Sequence, residues 1–186
     1  MKSYILCGIV GILSLACFDS LDEALIDPLS SPMVLEDALV VFEPSQEALF
    51  ILDPTRRAGK TGKRRVVRVD AGETPISAIE APNPSKPGAN QIIIADPGGE
   101  CIHLLRNKSG ILETIDIGIP MESIDVRDDG RFGVVYLPEG KRPTSSLVAF
   151  PNAISIVDLA EGGASPRTLR LPDSAARPIR AEFADS

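Results

Sequence analysis

The stretch "NQIIIADPGGECIHLLR", Asn90 to Arg106, contains two short apolar runs separated by a turn sequence. The first run is rich in isoleucine, a β-branched residue that favours strands, and the "DPGGE" segment carries the proline and glycines that favour tight turns. This pattern predicts a β-hairpin. A second copy lies upstream, where "ALVVFE" is followed by "PSQE" and "ALFILD" between Ala38 and Asp53. The chain therefore repeats a hairpin unit.

Each hairpin continues into two further segments with strand-like sequence. A third hairpin is predicted from "FGVVYLP" and "NAISIVDLA". The segments that follow the three hairpins are "RRVVRVD", "ILETIDI" and "RTLRLPD", and each of these precedes a Pro-led segment: "TPISAIE", "IPMESIDV" and "RPIRAEF". We therefore predict a unit of four short strands that occurs three times, with the Pro-led strand last in each unit.

The length of the unit and the composition of the chain indicate the fold class. The chain has 186 residues, 44% of them hydrophobic, with 15 glycines and 16 prolines spread along it as turn signals. A four-stranded unit of about 40–50 residues is typical of a β-propeller blade, whereas a β-sandwich does not predict internal self-similarity. We expect an all-β domain over residues 38–186, built of four-stranded antiparallel blades of the propeller type.

The number of blades leads to a further expectation. Residues 38–186 provide about three blades, whereas closed propellers have about four to eight. We therefore expect an incomplete or open propeller whose first and last blades each expose an apolar face. Either the sequence is part of a longer propeller, or two chains close a ring together.

Three segments resemble a known repeat family, and the first of them, "LFILDPTRR" to "VVRVDAGETPISAIE", has matching residues at Asp53, Gly72 and Pro75. "NAISIVDLAEGGASPRTLRLPDSAARPIRAEF" is similar to the YVTN-type propeller repeat, and "IPMESIDVRDDGRFGVVYLP" carries that repeat's proline and its Asp129-Gly130 turn. The resemblance extends over residues 38–186, although the Tyr-Val-Thr-Asn signature itself is absent. It implies a propeller fold. Members of the family include binding and scaffold proteins as well as some enzymes, so the resemblance implies no catalytic residue.

The N-terminus has the features of an export signal. An apolar run from Tyr4 to Ala16 follows Lys2, and it is shorter than the roughly 20 residues that a membrane-spanning helix needs. We interpret residues 1–16 as a signal peptide. The sequence Ser-Leu-Ala-Cys that ends at Cys17 resembles the bacterial lipobox, in which the cysteine is lipidated. The alternative is cleavage at the same bond by ordinary signal peptidase, followed by free secretion. Residues 17–37 are predicted to be a tether.

These features predict an exported protein of the bacterial cell envelope, held at the outer membrane or in the periplasm by a lipid on Cys17. The net charge of −7 argues against nucleic-acid binding, because the phosphate backbone attracts basic surfaces. The partners that we expect are the membrane, through the lipid anchor, and a protein or glycan.

No catalytic, cofactor-binding or metal-binding residue is predicted. The segment "PTRRAGKT" ends like a phosphate-binding loop, but Pro54 stands where that loop needs its first glycine, and a strand-like run follows. In "DVRDDG", Asp125, Asp128 and Asp129 resemble part of a calcium loop, but Arg127 stands at a position that requires an oxygen ligand.

The remaining candidate residues also have structural explanations. His103 is the only histidine, so a site with several histidines is excluded, and we interpret it as an ordinary strand residue. Cys101 is interpreted as a packed thiol. A basic segment from Arg56 to Arg65 is interpreted as an exposed hairpin loop; the alternative is an anchor for anionic lipid, polysaccharide or an acidic partner.

The function predicted from these observations is a non-enzymatic binding or scaffold module for protein or glycan. The alternative is an enzyme of the propeller class, a lactonase-like hydrolase or a dehydrogenase, of which this sequence is an N-terminal part. Propeller enzymes gather polar residues from several blades around a central channel, and the repeats offer only a few carboxylates and one histidine.

We predict that Cys17 is diacylated and that the protein partitions into membranes, because stable anchoring requires more than one acyl chain. Cells grown with a palmitate analogue should yield labelled protein, and the Cys17→Ala variant should lose the label. An unlabelled mature protein that begins with a free Cys17 would contradict this prediction.

Overall fold

The computed structural model describes residues 31–58, 63–139, 152–160, 166–172, 178 and 180–184, without the side chains of 56–58 and 63–65. These residues form three four-stranded antiparallel sheets, in each of which the strands follow chain order. The one helical element in the described part is a short 3-10 turn at Pro44–Gln46. For the described residues, the prediction of an all-β domain made of three four-stranded units is therefore confirmed.

The three sheets are consecutive along the chain. The first sheet comprises β1 Met33–Leu35, β2 Ala38–Glu43, β3 Ala48–Ala58 and β4 Lys63–Asp70. The second sheet comprises β5 Ser77–Pro82, β6 Asn90–Asp96, β7 Cys101–Leu105 and β8 Leu112–Asp116. The third sheet comprises β9 Ser123–Val126, β10 Phe132–Tyr136, β11 Ala153–Asp158 and β12 Arg167–Arg170.

The grouping of strands into units differs from the prediction by one strand. The segments "TPISAIE" and "IPMESIDV" were predicted to end their units, but β5 pairs with β6 and β9 pairs with β10. Each Pro-led segment therefore begins the next sheet. The cause is the pairing itself: β5 hydrogen-bonds to the hairpin that follows it rather than to β4. The last Pro-led segment, "RPIRAEF", contains no strand among its described residues.

The first sheet also begins earlier than predicted. Its edge strand β1 lies within residues 17–37, which the sequence indicated to be a tether, and Met33 and Leu35 are buried. Residues 1–30, with the predicted signal peptide and Cys17, lie outside the described part of the chain. Within the described part, no helix has the length and apolar character that crossing a membrane requires.

The same backbone arrangement recurs at the end of each central hairpin. Ala48, Cys101 and Ala153 begin the third strands of their sheets, and they pair with Asp70, Asp116 and Arg170. One residue further on, the amide of Ala71 donates to the carbonyl of Glu47, that of Ile117 to Glu100, and that of Leu171 to Asn152. The repeated hydrogen bonds establish that the three sheets are equivalent units.

The second sheet packs against the other two through opposite faces. Ile92, Ile94 and Leu105 join the apolar residues of the first sheet in one core cluster. Ile93 and Leu104, which point to the opposite face, join those of the third sheet in another. Every residue of β7 is buried. Because both faces are covered, β6 and β7 require continuous apolar runs rather than an alternating pattern.

Gly130 occupies the predicted Asp-Gly turn between β9 and β10, at a φ of 73°, where an added Cβ would overlap the carbonyl oxygen of Pro82 in the second sheet. We expect Gly130→Ala to lower the free energy of unfolding by about 3 kcal/mol or more, since it combines backbone strain with a steric clash. Urea denaturation measures the effect.

Gly88 provides the control for this substitution. It also has a positive φ, of 81°, but an added Cβ would meet nothing within 4 Å. Gly88→Ala should therefore cost only the backbone strain, about 1–2 kcal/mol. Equal losses of stability in the two variants would contradict the close approach at Gly130.

Candidate functional site

A polar cluster lies at the end of the hairpin formed by β6 and β7. Asp96 is the last residue of β6, Cys101 is the first residue of β7, and His103 follows two residues later. Asp96 pairs directly with Cys101, and residues two apart on a strand share a face. The three side chains therefore lie on one face, the face that packs toward the first sheet. All three residues are buried.

The polar atoms of the cluster converge. His103 Nε2 lies 3.3 Å from Asp96 Oδ2 and 3.5 Å from Cys101 Sγ. Cys101 Sγ lies 4.0 Å from Asp96 Oδ2. On the other side of the imidazole, His103 Nδ1 lies 2.9 Å from Thr114 Oγ1 on β8. Both ring nitrogens of His103 thus have polar neighbours, and its ring orientation is fixed between β6 and β8.

Asp96 also holds the connection between the first and second sheets. The amides of Glu73 and Thr74 donate to its two carboxylate oxygens at 2.9 and 2.8 Å, and the amide of Gly99 donates at 3.3 Å. Burial disfavours the charged carboxylate, but these amides together with His103 stabilise the charge and lower the pKa of Asp96. Asp96 is therefore a buried, charged carboxylate that anchors residues 73–74.

Cys101 is not activated as a nucleophile. Burial raises the pKa of its thiol to about 12, and the negative charges of Asp96, Asp116 and Glu73 act in the same direction. A catalytic cysteine beside a histidine requires the opposite environment, one that favours the thiolate at neutral pH. The arrangement of Cys101 and His103 is therefore not that of a cysteine hydrolase.

Two glycines border the cluster on its outer side. A Cβ at Gly72 would overlap Asp96 Oδ2 and lie 2.8 Å from His103 Nε2. A Cβ at Gly99 would lie 2.8 Å from Asp96 Oδ2 and 3.0 Å from Cys101 Sγ. Gly99 is exposed to solvent, so the cluster lies directly beneath the surface of the turn. In the described part of the chain, it is the one group of three such ligand side chains close enough to hold a metal ion.

A second polar group connects the first and second sheets at the surface. Lys108 Nζ lies 2.6 Å from a carboxylate oxygen of Asp37 and 3.2 Å from one of Asp53. The hydroxyl of Thr55 donates to Asp53 and is the main cause of a pKa near 2 for that carboxyl; burial opposes the shift, while the Thr55 amide and Lys108 support it. This group is an inter-sheet ion pair rather than a binding site.

The three aspartates of "DVRDDG" do not form a cluster. Asp125 accepts hydrogen bonds from the hydroxyl of Tyr136 and the amide of Ala181, both at 2.7 Å. Asp129 accepts from Arg127 and from the amide of Arg131, and these interactions lower its pKa to about 2. Asp128 is exposed. Asp129 and Gly130 lie in the predicted tight turn between β9 and β10.

The basic segment Arg56 to Arg65 lies on the hairpin of β3 and β4, which pair as far as Ala58 and Lys63. A phosphate-binding loop leads into a helix, but β3 continues through Pro54 and β4 begins at Lys63. Among the described residues, no helix follows the phosphate-loop pattern. The side chains of this segment and residues 59–62 lie outside the described part, as does Cys17.

The sequence contained a signal for the Asp96 cluster that single-residue arguments missed. In "ADPGGECIH", Cys101 and His103 are two positions apart on one strand, and the tight turn returns Asp96 opposite Cys101. Considered singly, His103 was an ordinary strand residue and Cys101 a packed thiol. Side chains two residues apart on a strand point to the same face, so the spacing and the turn together place all three residues on one face.

Comparisons with known proteins support the fold only. No protein-family model matches the sequence, and no curated protein is significantly similar to it. Hydrazine synthase of Kuenenia stuttgartiensis is a solved structure similar to this chain, with a TM-score of 0.50 and 15% sequence identity. The match covers 86% of this chain and 41% of that one. At this identity, the likeness supports a shared β-rich architecture.

We predict that Asp96→Asn lowers the free energy of unfolding at pH 7 by about 1–3 kcal/mol, because the amide groups around position 96 lose their charged acceptor. The pKa of Asp96 is lower in the folded protein than its ordinary value of 3.8. Its contribution is therefore complete above that value and is lost as the pH falls through the folded-state pKa. Urea denaturation between pH 7 and pH 3 should show the two proteins converging at the acid end.

The control is Asp128→Asn, a substitution at an exposed aspartate. It should change stability by less than about 0.5 kcal/mol. A difference between wild type and Asp96→Asn that stays constant from pH 7 to pH 3 would show that the charge of Asp96 is not the stabilising feature.

Proposed function

We propose that this chain is an exported, lipid-anchored scaffold of the bacterial cell envelope, built of propeller-type sheets, that binds protein or glycan and has no catalytic role. One observation carries the proposal: both outward faces of the three-sheet stack carry exposed apolar side chains. Exposed apolar side chains on both ends of a stack are suited to assembly rather than to turnover of a small substrate.

The outward face of the first sheet carries an apolar residue on each of its four strands. One row of paired residues crosses the sheet from β1 to β4, and it consists of Val34, Leu39, Leu52 and Val66. Val34 is 43% exposed and Val66 is 39% exposed. These residues point away from the second sheet, because the alternate positions of the same strands form the core cluster.

The outward face of the third sheet also carries exposed apolar side chains, beside Asp125 on β9, whose carboxylate accepts from the amide of Ala181. Val134 on β10 pairs with Ile156, and Ile154 pairs with Leu169 on β12. Leu169 is 50% exposed and Ile156 is 36% exposed. The alternate positions, among them Val135 and Val157, pack against the second sheet.

The two outward faces are complementary. Ala48, Cys101 and Ala153 occupy equivalent positions in the three sheets. By this equivalence, the outward face of the first sheet corresponds to the face of the second sheet that contacts the first sheet. The outward face of the third sheet likewise corresponds to the face of the second sheet that contacts the third. A third sheet is therefore suited to stack on the first sheet of a second copy. Two copies joined in this way at both ends contain six sheets, within the range of closed propellers.

The proposed anchor fits the beginning of the first sheet. Between a lipid on Cys17 and β1 at Met33, the chain spans at most roughly 55 Å. An acylated Cys17 would therefore keep the sheets close to the membrane surface. This arrangement supports a role at the envelope, with the stacked sheets as the binding element.

The self-stacking is tested by size-exclusion chromatography with light scattering on the full chain with Cys17→Ala, which removes the anchor. We expect a dimer. Val66→Lys and Leu169→Lys should each weaken the dimer by at least about tenfold, because each places an unpaired charge in the apolar contact.

Ile111→Lys is the matched control. Ile111 is 70% exposed, more than either of the other two residues, but it lies between β7 and β8 and not on an outward face. This variant should dimerise like the parent protein. A soluble monomer that melts cooperatively would contradict the proposed stacking.

A further inference from the structure

We propose that Asp96, Cys101 and His103 bind one divalent transition-metal ion of the zinc class. The three side chains offer a carboxylate oxygen, a thiolate sulfur and an imidazole nitrogen, and all three are ligands that zinc accepts. The proposal is independent of the scaffold role, because it concerns one face of the second sheet and not the outward faces of the stack.

The distances among the three atoms match those around a tetrahedral ion. With Zn–S near 2.3 Å, Zn–N near 2.05 Å and Zn–O near 2.1 Å, tetrahedral angles place the ligand atoms about 3.4–3.6 Å apart. The N–O and S–N distances in the cluster are 3.3 and 3.5 Å. The S–O distance of 4.0 Å needs to shorten by a few tenths of an ångström, a small rotation of either side chain.

The groups behind the ligands are already in place. Thr114 Oγ1 lies 2.9 Å from His103 Nδ1, so in the metal-bound protein Nδ1–H would donate to the hydroxyl and Nε2, which bonds Asp96 in the metal-free protein, would turn its lone pair to the ion. The amides of Thr74 and Gly99 hold Asp96 Oδ1, which fixes the carboxylate and directs Oδ2 toward the sulfur and the imidazole. Partners of this kind orient metal ligands and raise their affinity for the ion.

The repeat itself does not require these residues. In the first sheet, the equivalent turn is formed with Glu43, Ala48 and Phe50 at the positions of Asp96, Cys101 and His103. Glu47 and Glu100 occupy the same place in the two turns, and both have a φ of 51°. The same backbone therefore forms without a thiol or an imidazole, so the fold alone does not explain why the second sheet has both.

Glycine at positions 72 and 99 keeps side chains away from the ligand atoms. Side chains at Gly72 or Gly99 would contact the ligand atoms themselves. Because Gly99 is exposed, an ion has a short path from solvent, and a water molecule on that side is suited to be the fourth ligand. When the ion binds, Cys101 releases its thiol proton to solvent and coordinates as the thiolate.

The test uses the full chain with Cys7→Ala and Cys17→Ala, so that Cys101 is its single thiol. Cobalt(II) is the probe, because coordination by a thiolate produces a charge-transfer band in the near ultraviolet. We expect a band that saturates at one cobalt per chain, is displaced by Zn²⁺, and is abolished by Cys101→Ala. His103→Phe should weaken cobalt binding by at least about 100-fold, and Thr114→Val by about 10–100-fold.

These variants have internal controls. Cys101→Ala and His103→Phe introduce the residues that the first sheet carries at equivalent positions, so circular dichroism should show folded protein in both. Glu43→Gln, in the equivalent turn of the first sheet, should leave cobalt binding unchanged. Without any change at the site, Zn²⁺ should also raise the melting temperature of the single-thiol chain, and a chelator should reverse that rise.

Two results would overturn the proposal. The first is a single-thiol chain that, with excess metal, shows neither the cobalt band nor a rise in melting temperature. The second is a cobalt band or zinc-dependent rise in melting temperature that persists undiminished in Cys101→Ala. Neither result bears on the dimer expected from the outward faces, so the two proposals fail separately.

Discussion

The burial of the second sheet on both faces is the constraint on which the other features depend. Ile92 and Ile94 point toward the first sheet and Ile93 points toward the third, and all three are fully buried. Burial of one such side chain stabilises the fold by about 1.5–3 kcal/mol, so neither face is stable without its cover. The two outer sheets therefore stack on the central one, and the order of the chain along the stack is determined.

The cluster of Asp96, Cys101 and His103 lies at the edge of the face of the second sheet that packs against the first sheet. A buried carboxylate is costly unless hydrogen bonds compensate it, and the compensating amides come from residues 73–74, which connect the first sheet to the second. The position of that connection thus depends on the same atoms that form the candidate metal site. Metal binding would accordingly stabilise the junction of two sheets and not one hairpin alone.

The elements that the sequence predicted well are those set by local chemistry. The "PSQE" and "PGGE" turns and the β-branched runs beside them are specified within a few residues, and each appears in the structure. The grouping into sheets was wrong by one strand, because a repeating series of four strands has no start that composition reveals. The hydrogen bonds of β5 to β6 show that the Pro-led strand begins the second sheet. The Asp96 cluster required the strand period and the hairpin register together, so residues judged singly did not indicate it.

The equivalence of the three sheets gives the stack a direction, and this direction limits how it can assemble. Each sheet presents one face to the sheet before it and the opposite face to the sheet after it. Two first sheets brought together would join equivalent faces, for which the chain shows no precedent; a third sheet on a first sheet repeats a contact already made twice. Such a head-to-tail contact either closes a ring or propagates into a filament. The rotation between successive sheets determines which of these outcomes occurs.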